Sequence, residues 1–320
     1  MKIEVNFQLK SNILNWSNQK WQSDTKDGQK IDVDIDGIYC KVCVVHNSAD
    51  KAQELLYAIW ELLAWYDGYF YKPISYIVDG EEQEVEQLCT VNMYITDPKW
   101  ISSASLIGRN KRCFSSEMID KYLQIRNADR ENKSMNRTMI NSYFYLLSEA
   151  YKDINIEHRL ALLMHICDGF AIQFLNGCKK NNSGNINIIV RLLDTEKYKH
   201  GAEMLGVLPS KALNALADTR NELTHYIYKE NSLGSYISNP DYITDEMINL
   251  YAFYILETAL RVALLETSGF NVTDEVKEYL LDVNLDWIRL ERHIDEDCVI
   301  PRNILRQILQ RLQSESQIEE

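Results

Sequence analysis

A change of hydrophobic period part-way along the chain constrains its fold more than any other feature. Near the N-terminus apolar side chains recur at every second position, at Ile3, Val5, Phe7 and Leu9 and again at Ile31, Val33 and Ile35. That period places them on one face of a half-buried strand. Ile38–Val45 is a denser apolar run of the kind a central strand needs, with Gly37 positioned to form a turn or bulge before it. From Ala52 to Trp65 the spacing becomes helical, through Leu55, Leu56, Ile59, Trp60, Leu62 and Leu63. Ser48 or Asp50 is available as its N-cap and Gly68 as its stop. Trp60 and Trp65 are expected in the core or at a domain interface. Two further strands are expected at Ile74–Val78 and around Val91, Met93 and Ile95, separated by the acidic turn Asp79-Gly80-Glu81-Glu82.

Beyond Met139 the alternating pattern does not return. Leu160, Leu163, Met164, Cys167, Phe170 and Phe174 make a 3,4 stripe that ends before Gly177. A polar turn at 179–184 leads to a short helix over Ile186–Leu193. Another helix, after Pro209-Ser210, carries Leu213, Leu216 and Leu223, and a loop comes next over Asn231–Asp241. Thr244 can cap a long apolar helix, Met247–Glu266, which stops at Gly269; Pro301 opens a last helix. The fold class expected is therefore α+β: an N-terminal, mainly antiparallel sheet with a helix, followed by an all-α C-terminal bundle. The expected domains are an α+β sensing or regulatory domain over 1–108, a basic connector over 109–138 and a helical domain over 139–320.

Charge restricts the function. Lys and Arg total 34 against 47 Asp and Glu, a net of −13 over 320 residues, so the chain cannot coat nucleic acid by charge alone. Any such role must be local. The one basic stretch runs from Arg109 to Arg137, with eight basic residues against four acidic. It reads either as a solvated helix with a polar connector or as a surface that meets phosphate, in which case Arg126 and Arg130 are candidate substrate-binding residues. His165 and Asp168 break the first bundle helix and Glu257 and Arg261 the long one, so neither stretch can span a membrane. The N-terminus lacks the continuous apolar core of a signal peptide. Seven cysteines, without repeated spacing, fit reduced thiols and hence a cytoplasmic location.

Chemistry concentrates in Ala217-Asp218-Thr219-Arg220-Asn221-Glu222-Leu223-Thr224-His225-Tyr226. In a helix Asn221 and His225 share a face as an i,i+4 pair, and Arg220 flanks them. Two copies facing one another across a two-fold axis would place two guanidinium groups and two imidazoles in one cleft. That set suits RNA cleavage without a metal: one His takes the 2′-hydroxyl proton, the other protonates the leaving oxygen, and Arg stabilises the phosphorane. An Arg-x4-His pair alone carries little information, since about 0.3 are expected by chance in this composition. The alternative is an Arg that pairs with Asp218 or Glu222 and a His that caps a helix.

The pattern Arg220-Asn221-x-x-x-His225, the Leu-rich helix before it and the long apolar helix after it, ending Glu266-Thr267-Ser268-Gly269-Phe270, together resemble the HEPN ribonucleases. The likeness is strongest to the ApeA group of abortive-infection proteins and covers about Met139 to Phe270. It implies a helical bundle that dimerises, a composite metal-independent endoribonuclease site leaving 2′,3′-cyclic phosphates, and a role in prokaryotic anti-phage defence. By that resemblance Arg220 stabilises the transition state, Asn221 positions the phosphate or the His, and His225 is the acid–base. It also implies no cofactor, an RNA substrate, a homodimer or higher even oligomer, and a phage-derived or protein trigger at the N-terminal domain. Tyr226 and Tyr228 flank the position two after His225, which is Ile227, so the tyrosine-modified toxin–antitoxin variant is not matched. The alternative function is a non-catalytic HEPN-fold protein that dimerises and binds a partner protein or nucleotide.

Other candidates are secondary. His165 and Asp168, i,i+3 on the first bundle helix, could line the same cleft, although a packed His serves as well; Arg159 beside Leu160 reads as structural. Cys40-x2-Cys43-x2-His46 invites zinc, but strand alternation puts the two cysteines on opposite faces and no fourth ligand has matching spacing. No metal site is therefore expected. The Glu81–Glu86 cluster reads as a solvated hairpin tip.

Overall fold

The computed structural model describes residues 1–8, 19–24, 29–36, 39–91, 99–100, 116–131, 143, 147, 156–193 and 245–281. The chain divides into two compact units: Met1–Tyr151 with Leu264–Asn271, and Lys152–Ala263 with Val272–Glu320.

In the first unit the period-two segments form strands β1 (Lys2–Gln8), β3 (Lys30–Asp36) and β4 (Tyr39–Val45), joined in one sheet by β2 (Gln19–Asp24), β6 (Pro73–Val78) and β7 (Glu81–Gln83). The order is β2-β3-β4-β1-β6-β7 and every pairing is antiparallel. The register aligns the apolar positions across the strands, Val5 opposite Val42 and Val42 opposite Val33, so one face is continuous hydrocarbon. Val5, Phe7, Val33, Ile35 and Val42 are all fully buried on it. Each such side chain contributes about 1.5–3 kcal/mol on burial. The opposite face is charged. Glu4 bridges Lys2 and Lys41, and Asp34 and Asp32 lie 3.6 and 3.7 Å from Lys20 and Lys30.

Helix α1 (Ala49–Asp67) covers the apolar face, packing on β1 and β4, with the Phe7 and Trp60 rings 5.4 Å apart. Ser48 is its N-cap position, and Gly68, at φ 73°, ends it by donating to the Ala64 carbonyl at 2.8 Å. From Leu55 to Tyr66 every residue of this helix is buried, as in a helix enclosed on all sides. The Trp60 indole donates to the Tyr71 carbonyl at 2.9 Å, so it is a core residue with its one polar atom satisfied. A short pair, β5 (Tyr69–Phe70) with β8 (Lys99–Trp100), comes after the helix in the same unit.

Two expectations change here. Val91 ends helix α2 (Val85–Val91) and is not in a strand; Met93 and Ile95 lie outside the described residues. The basic stretch contains helix α3 (Ser116–Glu131), which packs on α1 through Met118, Ile119 and Tyr122, each buried, so over these residues it is not a solvated helix; the rest of 109–138 lies outside the described residues.

The described elements of the second unit are helices. Helix α4 (Ile156–Phe174) carries the expected stripe. Helix α5 (Asn182–Val190) starts earlier than its apolar residues indicate, because the Asn181 side chain caps it by accepting from Gly184 N–H at 2.9 Å. Helix α6 (Asp245–Thr267) runs to the expected glycine stop, and helical backbone resumes over 274–281. An α+β architecture is thus established, with an antiparallel sheet and helix first and helices afterwards. Among the described residues no helix is long and apolar enough to cross a membrane.

Candidate functional site

Arg220, Asn221 and His225 fall in the stretch 194–244, outside the described residues; in chain order that stretch lies between α5 and α6. The two long helices that flank it in sequence do pack together. The Cys167 thiol of α4 points at the Leu256 carbonyl of α6, 3.9 Å away, and the Arg159 guanidinium lies 4.8 Å from the centre of the Phe253 ring. Burial pushes the Cys167 thiol far above its ordinary range, the Asp168 and Glu257 carboxylates adding to the effect, so it is a core thiol and no nucleophile. Charged residues are nevertheless enclosed in this unit: Arg159, Glu257 and Arg261 are all buried.

On α4 the structure separates residues that the sequence places close together. His165 is exposed, which corrects the reading of a packed histidine, whereas Arg159 is the buried member of that pair. Six residues on a helix amount to about 600°, which turns the second side chain well away from the first. Asp168 is half-buried and already engaged: it accepts from Asn185 Nδ2 at 2.6 Å. Asn185 also donates to the Cys178 carbonyl and accepts from the Cys178 N–H, both at 2.7 Å. One buried amide therefore fastens α5 to the turn after α4, and Asp168 serves that joint.

The phosphate-facing role expected of Arg126 is overturned. Arg126 is 1% exposed, and its Nε and Nη2 reach the two Glu61 oxygens at 2.8 and 2.9 Å. The Tyr122 hydroxyl donates to the same carboxylate at 2.9 Å. The physical reason is register: positions 118, 119, 122 and 126 share the α3 face that packs on α1, and the acid that meets them there is Glu61. For Arg126 burial works against the charge, but Glu61 outweighs it and the guanidinium is held more firmly protonated than usual. Burial, reinforced by the Glu61 charge, lifts the Tyr122 hydroxyl well above its ordinary value of 10 and keeps it a donor. The Arg130 side chain lies outside the described residues. Sequence reasoning missed this cluster; the signal available was a single carboxylate inside the apolar run of α1.

The Cys40-x2-Cys43-x2-His46 segment does not converge. Cys40 faces the core and Cys43 the charged face, opposite Glu4 and Asp32, where burial raises its thiol. His46 is spent on local structure: its Nδ1 accepts from Ser48 N–H at 2.8 Å, at the start of α1, and its Nε2 lies 2.9 Å from the Gln29 amide. Among the described residues no group of three or more His, Cys, Asp or Glu is arranged to hold a metal. The acidic run at 81–86 is divided between β7 and the start of α2, with Glu81, Glu82 and Glu86 exposed, beyond a turn in which Asp79 and Gly80 have φ of 49° and 92°.

Comparison with protein families, with curated proteins and with solved structures finds no match to this chain.

Proposed function

We propose that the protein is a metal-independent endoribonuclease of HEPN type whose active site forms between two copies of its C-terminal helical bundle, and that it cuts RNA in prokaryotic anti-phage defence. The observation that carries this reading is the Arg220-Asn221-x-x-x-His225 motif, set in the chain between two long apolar helices. The helical character of α4, α5 and α6 and the packing of α4 on α6 support it, because a bundle needs such helices to present a motif borne between them.

In the proposed reaction a neutral His225 takes the proton from a 2′-hydroxyl, whose oxygen attacks the adjacent phosphorus. The bond from phosphorus to the 5′-oxygen breaks, and the protonated His225 of the second copy supplies that oxygen with a proton. The products are a 2′,3′-cyclic phosphate and a 5′-hydroxyl. Arg220 neutralises the charge that builds on the phosphorane oxygens, and Asn221 orients the phosphate or the imidazole. The N-terminal unit is assigned to sensing a phage-derived or protein trigger in the cytoplasm.

Incubation with total RNA and tRNA in EDTA, beside the His225→Ala and Arg220→Ala variants, tests the reading. Cyclic-phosphate ends from the wild type alone are the expected result. Equal cleavage by all three proteins removes the motif from catalysis. A silent wild type that still dimerises and binds a nucleotide or a protein favours the non-catalytic binding bundle.

A further inference from the structure

The sheet of the first unit has two edges, and only one of them is protected. Strand β7 is three residues long with both glutamates exposed, and short charged edges resist further pairing. Strand β2 is six residues long, contains neither Gly nor Pro, and holds unbroken register with β3 from Gln19 opposite Ile35 to Asp24 opposite Lys30. No described residue pairs with its outer side. A regular edge of that kind presents a row of backbone donors and acceptors to any strand that can match it.

Both faces of the sheet reach β2 with their pattern incomplete. On the core face Trp21 ends a row that runs through Val33, Val42 and Val5; the three valines are fully buried, whereas Trp21 is half-buried. On the charged face Lys41, Asp34 and Lys20 stand opposite one another in turn, so the signs alternate outward to a lysine at the edge. Lys20 Nζ lies 3.6 Å from Asp34, and more than half of the Lys20 side chain is exposed.

We infer that β2 pairs with the β2 of a second copy, antiparallel across a two-fold axis that passes between the two Gln22 residues, joining two sheets edge to edge. Charge selects this register. It sets Lys20 opposite the second copy's Asp24, which stands opposite its own Lys30, so the row reads Lys41, Asp34, Lys20, Asp24, Lys30 with signs alternating throughout. The axis repeats the match at the other end of the strand pair. The same register sets the two Trp21 residues diagonal to one another on the core face, about 7–8 Å apart and within reach of aromatic side chains. Moving the axis by one position, to Trp21, puts Lys20 opposite Gln22 and loses the alternation.

Disulfide trapping in the full chain tests the pairing. Directly opposed residues of an antiparallel pair have Cα atoms about 4.5–5.5 Å apart, a separation that a disulfide spans. With Gln22→Cys, oxidised glutathione is expected to link two copies through their position-22 thiols, identified by mass-spectrometric mapping. Lys20→Cys places its two thiols four positions out of register and should give no link between them. Lys20→Glu or Asp24→Lys, each added to Gln22→Cys, opposes like charges twice and should slow linking about tenfold. Mixing those two variants should restore it as a mixed disulfide, since each supplies the charge that the other lacks. Absence of the position-22 link, equal linking at position 20, or charge variants that link as fast as their parent would overturn the pairing. The readout is a bond at a mapped position of the sheet unit, so its outcome is separate from RNA cleavage and from dimerisation of the helical bundle.

Discussion

Glu61 and Arg126, sixty-five positions apart and both almost wholly enclosed, meet in a two-pronged ion pair of 2.8 and 2.9 Å that also takes the Tyr122 hydroxyl. Removing two charges from water costs several kcal/mol per ion, and here three hydrogen bonds on one carboxylate offset that cost. The pair fixes which face of α3 meets α1, because sliding α3 by one residue would bury the guanidinium without its acid.

Breaking one side of this pair strands the other. Glu61→Ala is therefore expected to lose about 3–5 kcal/mol of stability, and Arg126→Ala a similar amount. Urea denaturation of the two single variants and the double variant measures the coupling. The double Glu61→Leu/Arg126→Met variant is expected to recover most of the loss, since it leaves no buried charge. Strict additivity of the single effects would contradict the pairing.

On the charged face of the sheet, hydrogen bonds from Lys2 and then Lys41 hold the Glu4 carboxyl below its ordinary value of 4.5. A group whose folded value is depressed stabilises the fold above its unfolded value, and that contribution disappears as pH falls through the folded value. Glu4→Gln is thus expected to lower the melting temperature at neutral pH and to make progressively less difference below pH 4.5. A melting-point series on both proteins from neutral to strongly acid pH reads this directly. A gap that widens in acid would exclude the assignment.

Asn185 closes three hydrogen bonds in the helical unit. Asn185→Leu leaves Asp168 and both Cys178 backbone groups without that partner; these groups are part-buried and regain some hydration, so the expected loss is about 1 kcal/mol, the net worth of an ordinary hydrogen bond, or somewhat more. Gly177→Ala should act at the same joint from the other side, since its methyl would come 2.5 Å from Asn185 Oδ1. Guanidinium unfolding of both variants checks this; neutrality of both would mean that the joint carries no stability.

Thiol chemistry separates the described cysteines. Cys40, Cys43 and Cys167 are buried and Cys178 is exposed. Alkylation of the native protein is expected to mark Cys178 before Cys40, Cys43 and Cys167 and to reach Cys167 only after denaturation, because burial holds that thiol protonated. Mass-spectrometric mapping of the labelled sites provides the test.

At 220–225 the motif predicts a specific pair of losses. His225→Ala is expected to abolish RNA cleavage in EDTA while leaving the melting temperature unchanged, and Arg220→Ala to reduce cleavage by at least about 100-fold, the scale of one transition-state charge contact. Arg220 as a structural staple instead predicts a stability loss of ~1 kcal/mol or more with cleavage intact. Calorimetry beside the cleavage assay distinguishes the two.

Period and caps were legible in the amino-acid sequence, because both are local. The alternation through Ile3, Val5 and Phe7 and through Ile31, Val33 and Ile35 defined β1 and β3, and the helical stripes defined α1, α4 and α6 with Gly68 and Gly269 at the ends of the first and last. Strand β2 was not legible: Gln19–Asp24 carries one large apolar residue, Trp21, since an edge strand paired on one side needs little more. The candidate site was read from residue types and spacing alone, and for Arg126 that was insufficient. Whether a basic side chain faces phosphate or a buried acid depends on what lies across the helix interface, and Glu61 is distant in sequence. The same holds for the end of α6. Its glycine stop is written locally, but its membership of the sheet unit is decided by Tyr66 and Lys121, which only the folded chain brings to it. Sequence by itself determined the elements whose hydrophobic period is strong; tertiary structure decided which charges are enclosed and which segments belong together, because burial and long-range pairing are properties of packing and have no local signature.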